Sequence, residues 1–214
     1  INGWYWLCIT VAVTLLTAFI MNLQGKQFFT MGVVMRTFSI LDLEFPSSSK
    51  DIPSVIKGIY ALPAPQQQQT LQALRGQLWL DFLFMPAAYG SIFLLCMEVA
   101  GKMNEAGQVL FVWLAWLQAV PWLFDIIENI YLLRKMRPDI ACSSKAVHKA
   151  YQVMEAFKWG ISLTGFVFAL SSLLFFWLTG NYAVASLRYL LILAGEAVVF
   201  AGLQFIPFGR RSKA

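Results

Sequence analysis

Charged side chains are scarce in this chain of 214 residues: they make up 13% of it, whereas hydrophobic side chains make up 59%. A water-soluble domain of this length carries about 25% charged residues. The deficit excludes an ordinary soluble domain and indicates that lipid surrounds much of the chain. The mean hydropathy of +0.65 agrees with that interpretation.

The chain has a single histidine and no closely spaced pair of cysteines, which excludes several kinds of cofactor site. His148 is the only histidine, so two-histidine haem ligation and the zinc motif HExxH are excluded. Cys8, Cys96 and Cys142 form no CxxC pair. We expect three free thiols, although Cys8 and Cys96 are predicted at similar depth and could form a bridge. No GxSxG motif is present, and no Gly-rich phosphate loop follows a strand pattern.

Long apolar runs are what the chain has in abundance. Each is close to the roughly 20 residues with which a helix crosses about 30 Å of hydrocarbon. The alternating segments of a membrane barrel do not appear. We therefore predict an all-α integral membrane protein, with residues 1–214 forming a single membrane domain. The predicted transmembrane helices cover about 4–23, 77–98, 108–133, 153–179 and 187–206.

The distribution of lysine and arginine predicts how the helices are oriented. With five spans, the segments 24–76 and 134–150 and the C-terminus lie on one side, together with 13 basic residues. The other side carries only Lys102 and Arg188. By the positive-inside rule, the C-terminus is cytoplasmic, the N-terminus is outside, and the chain lies in a cell inner membrane. The net charge of +5 then reflects topology and contact with membrane lipids, and it does not indicate nucleic acid.

The longest polar segment, 24–76, is predicted to form a helical hairpin at the cytoplasmic interface. Ser49 or Asp51 is expected to cap a short helix that has Pro53 in its first turn. A second helix begins at about Gln66 and continues into the second span. The apolar stripe of the short helix consists of Ile52, Val55, Ile56 and Ile59.

Polar and ionisable side chains occur together near one end of the second, third and fourth predicted spans, where a charge is costly. Three of them, in the third span, have the spacing i, i+3 and i+4 and so share one helix face. Alternating topology brings all of them to a similar depth near the cytoplasmic side. We predict that they form one polar cluster, which consists of Asp81, Asp125, Glu128, Asn129, Glu155 and Lys158.

The predicted cluster holds four acids and one base. Arg75 and Arg134 could reach in from the helix ends; otherwise some of the acids must be protonated or must bind a cation. Asp81, Asp125 and Glu128 could form a carboxylate site for Mg²⁺ or Ca²⁺. Equally, the cluster could be a structural salt-bridge network that joins the helices.

Glu196 stands apart from the cluster, alone in the fifth span between Gly195 and Ala197. Such a residue is expected to be protonated and bonded to a neighbouring helix, or else to contact another subunit. Small residues around it and in the fourth span favour close helix contacts. They are Gly160, Gly165, Ala169, Ala194, Gly195, Ala197, Ala201 and Gly202.

Four segments carry a resemblance to a known family: LDLEF (41–45), LWLDFLFMPAAYG (78–90), FDIIENIYLL (124–133) and EAFKWG (155–160). Together they resemble an uncharacterised family of bacterial multi-pass membrane proteins. The resemblance covers about residues 40–160. It implies no reaction, ligand or partner. It does imply one recurring constellation, made of Asp81, Asp125, Glu128, Asn129 and Lys158.

Three functions are compatible with these patterns. The first is a non-catalytic accessory subunit that packs against other membrane subunits or a second copy of itself, with no haem or zinc ligand set and no other cofactor identified. The second is lipid or ion binding by the polar cluster, with proton-coupled transport as one form. The third is an enzyme acting on a lipid headgroup, with Asp125 or Glu128 as acid or base and Lys158 tuning its pKa.

Overall fold

A computed structural model describes residues 3–205 of the chain and is 79% helical. The helices are α1 Gly3–Gly25, α2 Leu41–Glu44, α3 Asp51–Tyr60, α4 Ala64–Ala100, α5 Glu105–Leu117, α6 Ala119–Lys135, α7 Lys145–Leu178 and α8 Leu187–Phe205. Strands β1 Phe29–Met31 and β2 Met35–Thr37 pair antiparallel, and a 3-10 turn at Val184–Ser186 precedes α8.

Five helical segments are long and apolar enough to cross a membrane, as predicted. The most apolar 18 residues of each segment have a mean hydropathy between 1.7 and 2.0. The predicted end of the last span at 206, and the basic residues Arg210, Arg211 and Lys213, lie outside the described residues. The five segments are Gly3–Gly25, Ala64–Ala100, Glu105–Lys135, Lys145–Leu178 and Val184–Gln204.

The third of these segments is interrupted at Gln118, between α5 and α6. Pro121 has no N–H with which to bond the carbonyl of Leu117, so the regular pattern fails there. The Gln118 backbone N–H donates to Ala115 O at 3.0 Å, three residues back. The Gln118 side-chain amide then donates to Leu114 O at 3.1 Å, so the side chain supplies the bond that the backbone does not.

The segment before α4 contains two short strands and α2 besides the predicted short helix, and the helical hairpin at the membrane interface stays a prediction. The short helix and its apolar stripe are confirmed as α3, whose isoleucines and Val55 are buried. The predicted cap is wrong: Lys50 occupies the N-cap position, and the Asp51 carboxylate instead accepts from the Ser48 N–H at 2.8 Å. The two three-residue strands and α2 were not predicted, because such short elements show no periodicity.

The chain divides into two compact units, and the prediction of a single domain stays a prediction. One unit comprises residues 24–82 and 120–160. Thr30 on β1 donates to Val55 O of α3 at 2.9 Å, and this bond joins the hairpin to the helix. The buried core of this unit consists of Phe28, Phe38, Leu43, Ile52, Val55, Ile56, Ile59, Leu62, Ala73, Leu74, Leu78, Leu132, Met136 and Ile140.

The other unit has its described residues in 3–23, 83–119 and 161–205. Gly165 allows close packing here, because a Cβ at that position would lie 3.2 Å from Ile92 Cγ2. All three cysteines of the chain are free thiols, and Cys96 is buried in this unit. Its core consists of Trp4, Leu7, Leu95, Cys96, Val99, Ala100, Phe111, Leu114, Ala115, Ala169 and Leu173.

Candidate functional site

The ammonium group of Lys158 lies among four carboxylates in the first unit. Its Nζ atom is 2.9 Å from Asp125 Oδ1 and 2.7 Å from Glu155 Oε2. It donates a hydrogen bond to Glu128 Oε2, and it lies 4.0 Å from Glu44 Oε2. We call these five residues the Lys158 centre. Since Lys158 is only 3% exposed, the charges interact in a medium that screens them poorly.

Helix α6 contributes its core-facing stripe to the centre. Asp125, Glu128, Asn129 and Leu132 follow one another at helical spacing, and all four are buried. In a typical amphipathic helix this stripe would be entirely apolar. The helix therefore places two acids and an amide where packing residues are expected, and these side chains must find partners within the protein.

Helix α7 contributes a face on which Tyr151, Glu155 and Lys158 are spaced i, i+4 and i+7. The Tyr151 hydroxyl oxygen lies 3.1 Å from Leu43 O and 3.1 Å from Glu128 Oε1. A hydroxyl has one hydrogen to donate. The Tyr151 hydroxyl donates towards both oxygens, so its one hydrogen is shared between two buried acceptors.

Asp81 on α4 adjoins the centre through Asn129. The Asn129 amide donates to Asp81 Oδ2 at 2.7 Å and to Leu78 O at 3.3 Å. Both hydrogens of the amide are thereby used. Asn129 thus connects α6 with α4, and Asp81 takes part in the site without contacting the lysine directly.

Glu44 belongs to the centre, although the sequence analysis did not select it. It ends α2, in the segment before α4, and its side chain is 16% exposed. Burial, and next the charge of Glu128, raise the pKa of Glu44 from 4.5 to about 7. The sequence signal that could have identified Glu44 is its position as an acid in the apolar LDLEF segment, between Leu43 and Phe45-Pro46.

The structure brings all six predicted cluster residues to one place, but Arg75 and Arg134 do not join them. Both arginines are exposed, and neither forms a salt bridge within residues 3–205. Tyr151 was missed by the sequence analysis, and its spacing from Glu155 and Lys158 was the signal that could have identified it.

The three carboxylates that converge in the structure are not the three that the sequence analysis proposed as metal ligands. Ligand oxygens of Glu44, Glu128 and Glu155 lie within 4.8 Å of one another, and this trio replaces the expected Asp81, Asp125 and Glu128. Glu155 is 1% exposed, and its Oε1 atom has no hydrogen-bond partner within residues 3–205. The trio is the set that would hold a small cation.

Glu196 lies in the second unit, on α8, and is partly buried. Its Oε2 atom is buried and has no hydrogen-bond partner among the described residues. Gly195 next to it and Gly202 on the following turns have open space where a Cβ would stand. The small residues around Glu196 therefore lie on an open face of α8.

Replacing Tyr151 with phenylalanine is expected to lower the free energy of unfolding by about 1–3 kcal/mol, because Leu43 O and Glu128 lose a buried partner. The measurement is equilibrium unfolding in mixed micelles. Tyr5→Phe is the matched control, since Tyr5 is 55% exposed. Equal stability of the two variants would contradict the expectation.

Comparison of the chain with models of protein families, with curated proteins and with solved structures gives no match.

Proposed function

We propose that this chain is a multi-pass inner-membrane protein of ion handling, in which the Lys158 centre takes up and releases protons. Five apolar helices support the membrane assignment. The excess of basic residues in 24–76, 134–150 and the C-terminus supports a cytoplasmic location for those parts. The proton-binding role rests on one observation, the charge imbalance of the centre.

Within residues 3–205, four carboxylates surround one ammonium group, so full ionisation of these five groups would leave three uncompensated negative charges. Each buried charge without a partner costs several kcal/mol. Arg75 and Arg134 do not supply the missing positive charge. Protons on the acids restore neutrality without any new coordination shell.

A salt-bridge network that only held helices together would be most stable with equal numbers of acids and bases. This centre has more acids than such a role requires. A divalent cation at Glu44, Glu128 and Glu155 would also offset their charge. It would, however, lie beside the ammonium group that already contacts Glu128 and Glu155, and the two cations would repel each other.

The test is infrared spectroscopy of the purified protein between pH 5 and pH 9. A protonated carboxyl group and a carboxylate absorb at different frequencies, so the two forms can be counted. We expect protonated carboxyl groups at pH 7 that are reduced in Glu128→Gln and unchanged in Asp139→Asn, since Asp139 is an exposed loop residue.

Two results would overturn the proposal. One is complete ionisation of all acids of the centre at pH 7, without proton uptake on acidification. The other is loss of the carboxyl signal when Mg²⁺ or Ca²⁺ is added, which would assign the centre to a metal. Reconstitution in liposomes with an enclosed pH-sensitive dye then tests whether proton binding is part of transport.

An accessory subunit of a larger membrane assembly is the second candidate, and α8 supports it. No residue of the most apolar 18-residue stretch of Val184–Gln204 is buried by the described part of the chain, and Glu196 Oε2 has no hydrogen-bond partner among residues 3–205. A carboxyl group at such a position favours a polar contact with another chain. Purification in a mild detergent, followed by mass spectrometry of every retained chain, tests the accessory-subunit role. We expect the partner chain to be lost from Glu196→Leu and retained by the control Val198→Leu.

A further inference from the structure

A cavity of about 370 Å³ opens at helix ends in the second unit. The start of α1, the end of α4 and the start of α8 border it, as does the loop before α8. The residues that matter for its chemistry are Trp4, Glu98, Lys102, Tyr182, Arg188 and Tyr189. Nothing in the proton-binding proposal uses this cavity.

Aromatic rings hold the two cations of the cavity in place. Lys102 Nζ lies 5.3 Å from the centre of the Tyr182 ring, and the Arg188 guanidinium carbon lies 4.7 Å from that of Tyr189. Arg188 also donates to the Tyr189 hydroxyl at 2.9 Å. Trp4 stacks on Tyr189 at 6.1 Å and meets Tyr182 edge-on at 5.4 Å. Such cation–π contacts keep a positive charge at a fixed place.

The polar groups of the cavity call for an anion. Lys102 and Arg188 outnumber Glu98, which leaves one net positive charge. The Tyr182 hydroxyl is buried and has no hydrogen-bond partner within residues 3–205. Burial, and next the charge of Glu98, raise the pKa of Tyr182 to about 12, so the hydroxyl stays uncharged and adds no negative charge. The cavity therefore offers an anion the N–H donors of Lys102 and Arg188.

The position of the cavity restricts the source of that anion. It lies where apolar helices end, which is the level of lipid headgroups for a spanning helix. Aromatic rings with one polar edge favour that level as well. Lys102 and Arg188 are also the only basic residues that the predicted topology places on their side of the membrane, and the structure puts both beside one cavity.

We infer that this cavity binds the phosphodiester group of an anionic phospholipid, with Lys102 and Arg188 as donors. A phosphodiester carries one negative charge and so matches the net charge of the cavity. The rings of Trp4 and Tyr189 offer an apolar wall to the adjoining glycerol and acyl carbons. Free phosphate shares the headgroup chemistry but would not use that wall.

The experiment measures binding of short-chain phosphatidylglycerol and of inorganic phosphate to the full chain in detergent micelles, by calorimetry. We expect phosphatidylglycerol to bind at least about tenfold more tightly than inorganic phosphate. The variants Lys102→Gln and Arg188→Gln are each expected to weaken lipid binding by about tenfold or more, the effect of losing one charged hydrogen bond. Both residues are exposed, so the substitutions should leave the fold intact.

Lys50→Gln is the matched control, because Lys50 belongs to the other unit, and it should bind like the unchanged chain. Equal binding by all three variants would overturn the assignment. Equal affinity for inorganic phosphate and for phosphatidylglycerol would assign the cavity to free phosphate and overturn the assignment to a lipid. Thermal unfolding of each variant shows whether reduced binding reflects the cavity itself, and Arg188→Lys, which keeps the charge, should retain most of the affinity.

Discussion

Replacement of Lys158 by methionine is expected to lower the free energy of unfolding by about 3–5 kcal/mol, the cost of breaking a buried ion pair from one side. Methionine has a similar length and fills the same space, so the change removes charge more than packing. It leaves Asp125, Glu128 and Glu155 without the ammonium group that contacts all three. Equilibrium unfolding in mixed micelles measures the loss.

A second substitution tests whether charge is the cause. Adding Asp125→Asn to Lys158→Met removes one of the uncompensated charges and is expected to recover part of the lost stability. The double-mutant cycle should give an interaction energy of about 0.5–3 kcal/mol. The effect of Lys158→Met should also shrink at low pH, where the acids are protonated. Lys57→Met on the exposed face of α3 is the control and should be nearly neutral.

Unchanged stability of Lys158→Met at every pH would contradict this prediction. It would show that the charges of the Lys158 centre contribute little to the free energy of unfolding, and the proton-binding proposal would lose its main support.

The contribution of Glu44 to the stability of the protein is expected to fall as the pH rises from about 4.5 to about 7. The pKa of Glu44 is raised to about 7 in the folded chain, from an ordinary value of 4.5. Between these values the folded state holds the proton and the unfolded state does not, so raising the pH favours unfolding. The full difference corresponds to about 3 kcal/mol.

Glu44→Gln isolates this contribution, because glutamine imitates the protonated side chain. Unfolding curves at pH 4, 6 and 8 should show that the variant gains stability over the unchanged chain as the pH rises. The charged groups near Glu44 are Glu128, Lys158, Asp125 and Asp81, and they remain in both proteins, so their titration largely cancels in the difference. Asp139→Asn should follow the unchanged chain. A constant difference between Glu44→Gln and the unchanged chain would show that Glu44 has an ordinary pKa.

Much of the helical architecture could be predicted from the sequence, since apolar runs of about 20 residues have few alternatives to a helix in lipid. The apolar stripe of α3 was also predictable, because its residues recur at helical spacing. The hairpin of β1 and β2 and the short helix α2 were not. Their few residues are held by contacts such as that of Thr30 with Val55 O, which links residues 25 positions apart.

The candidate site shows the same division. The sequence indicated that Asp125, Glu128 and Asn129 share a face, because helical spacing alone places them there. It offered Arg75 and Arg134 as partners, and both are exposed. The acid that does approach Lys158 from outside the long helices is Glu44, which is distant in sequence and lies in a segment without strong periodicity.

Composition and local spacing are sufficient to show that five helices are apolar enough to span a membrane and that acids, an amide and a lysine lie within them. Three other features became visible only once the chain was folded. They are the contact of Lys158 with four carboxylates, the place of Glu44 in the centre, and the position of Lys102 and Arg188 beside one cavity. These pairings join residues 3 to 114 positions apart, and most of them depend on how the helices and loops pack, which no local pattern encodes.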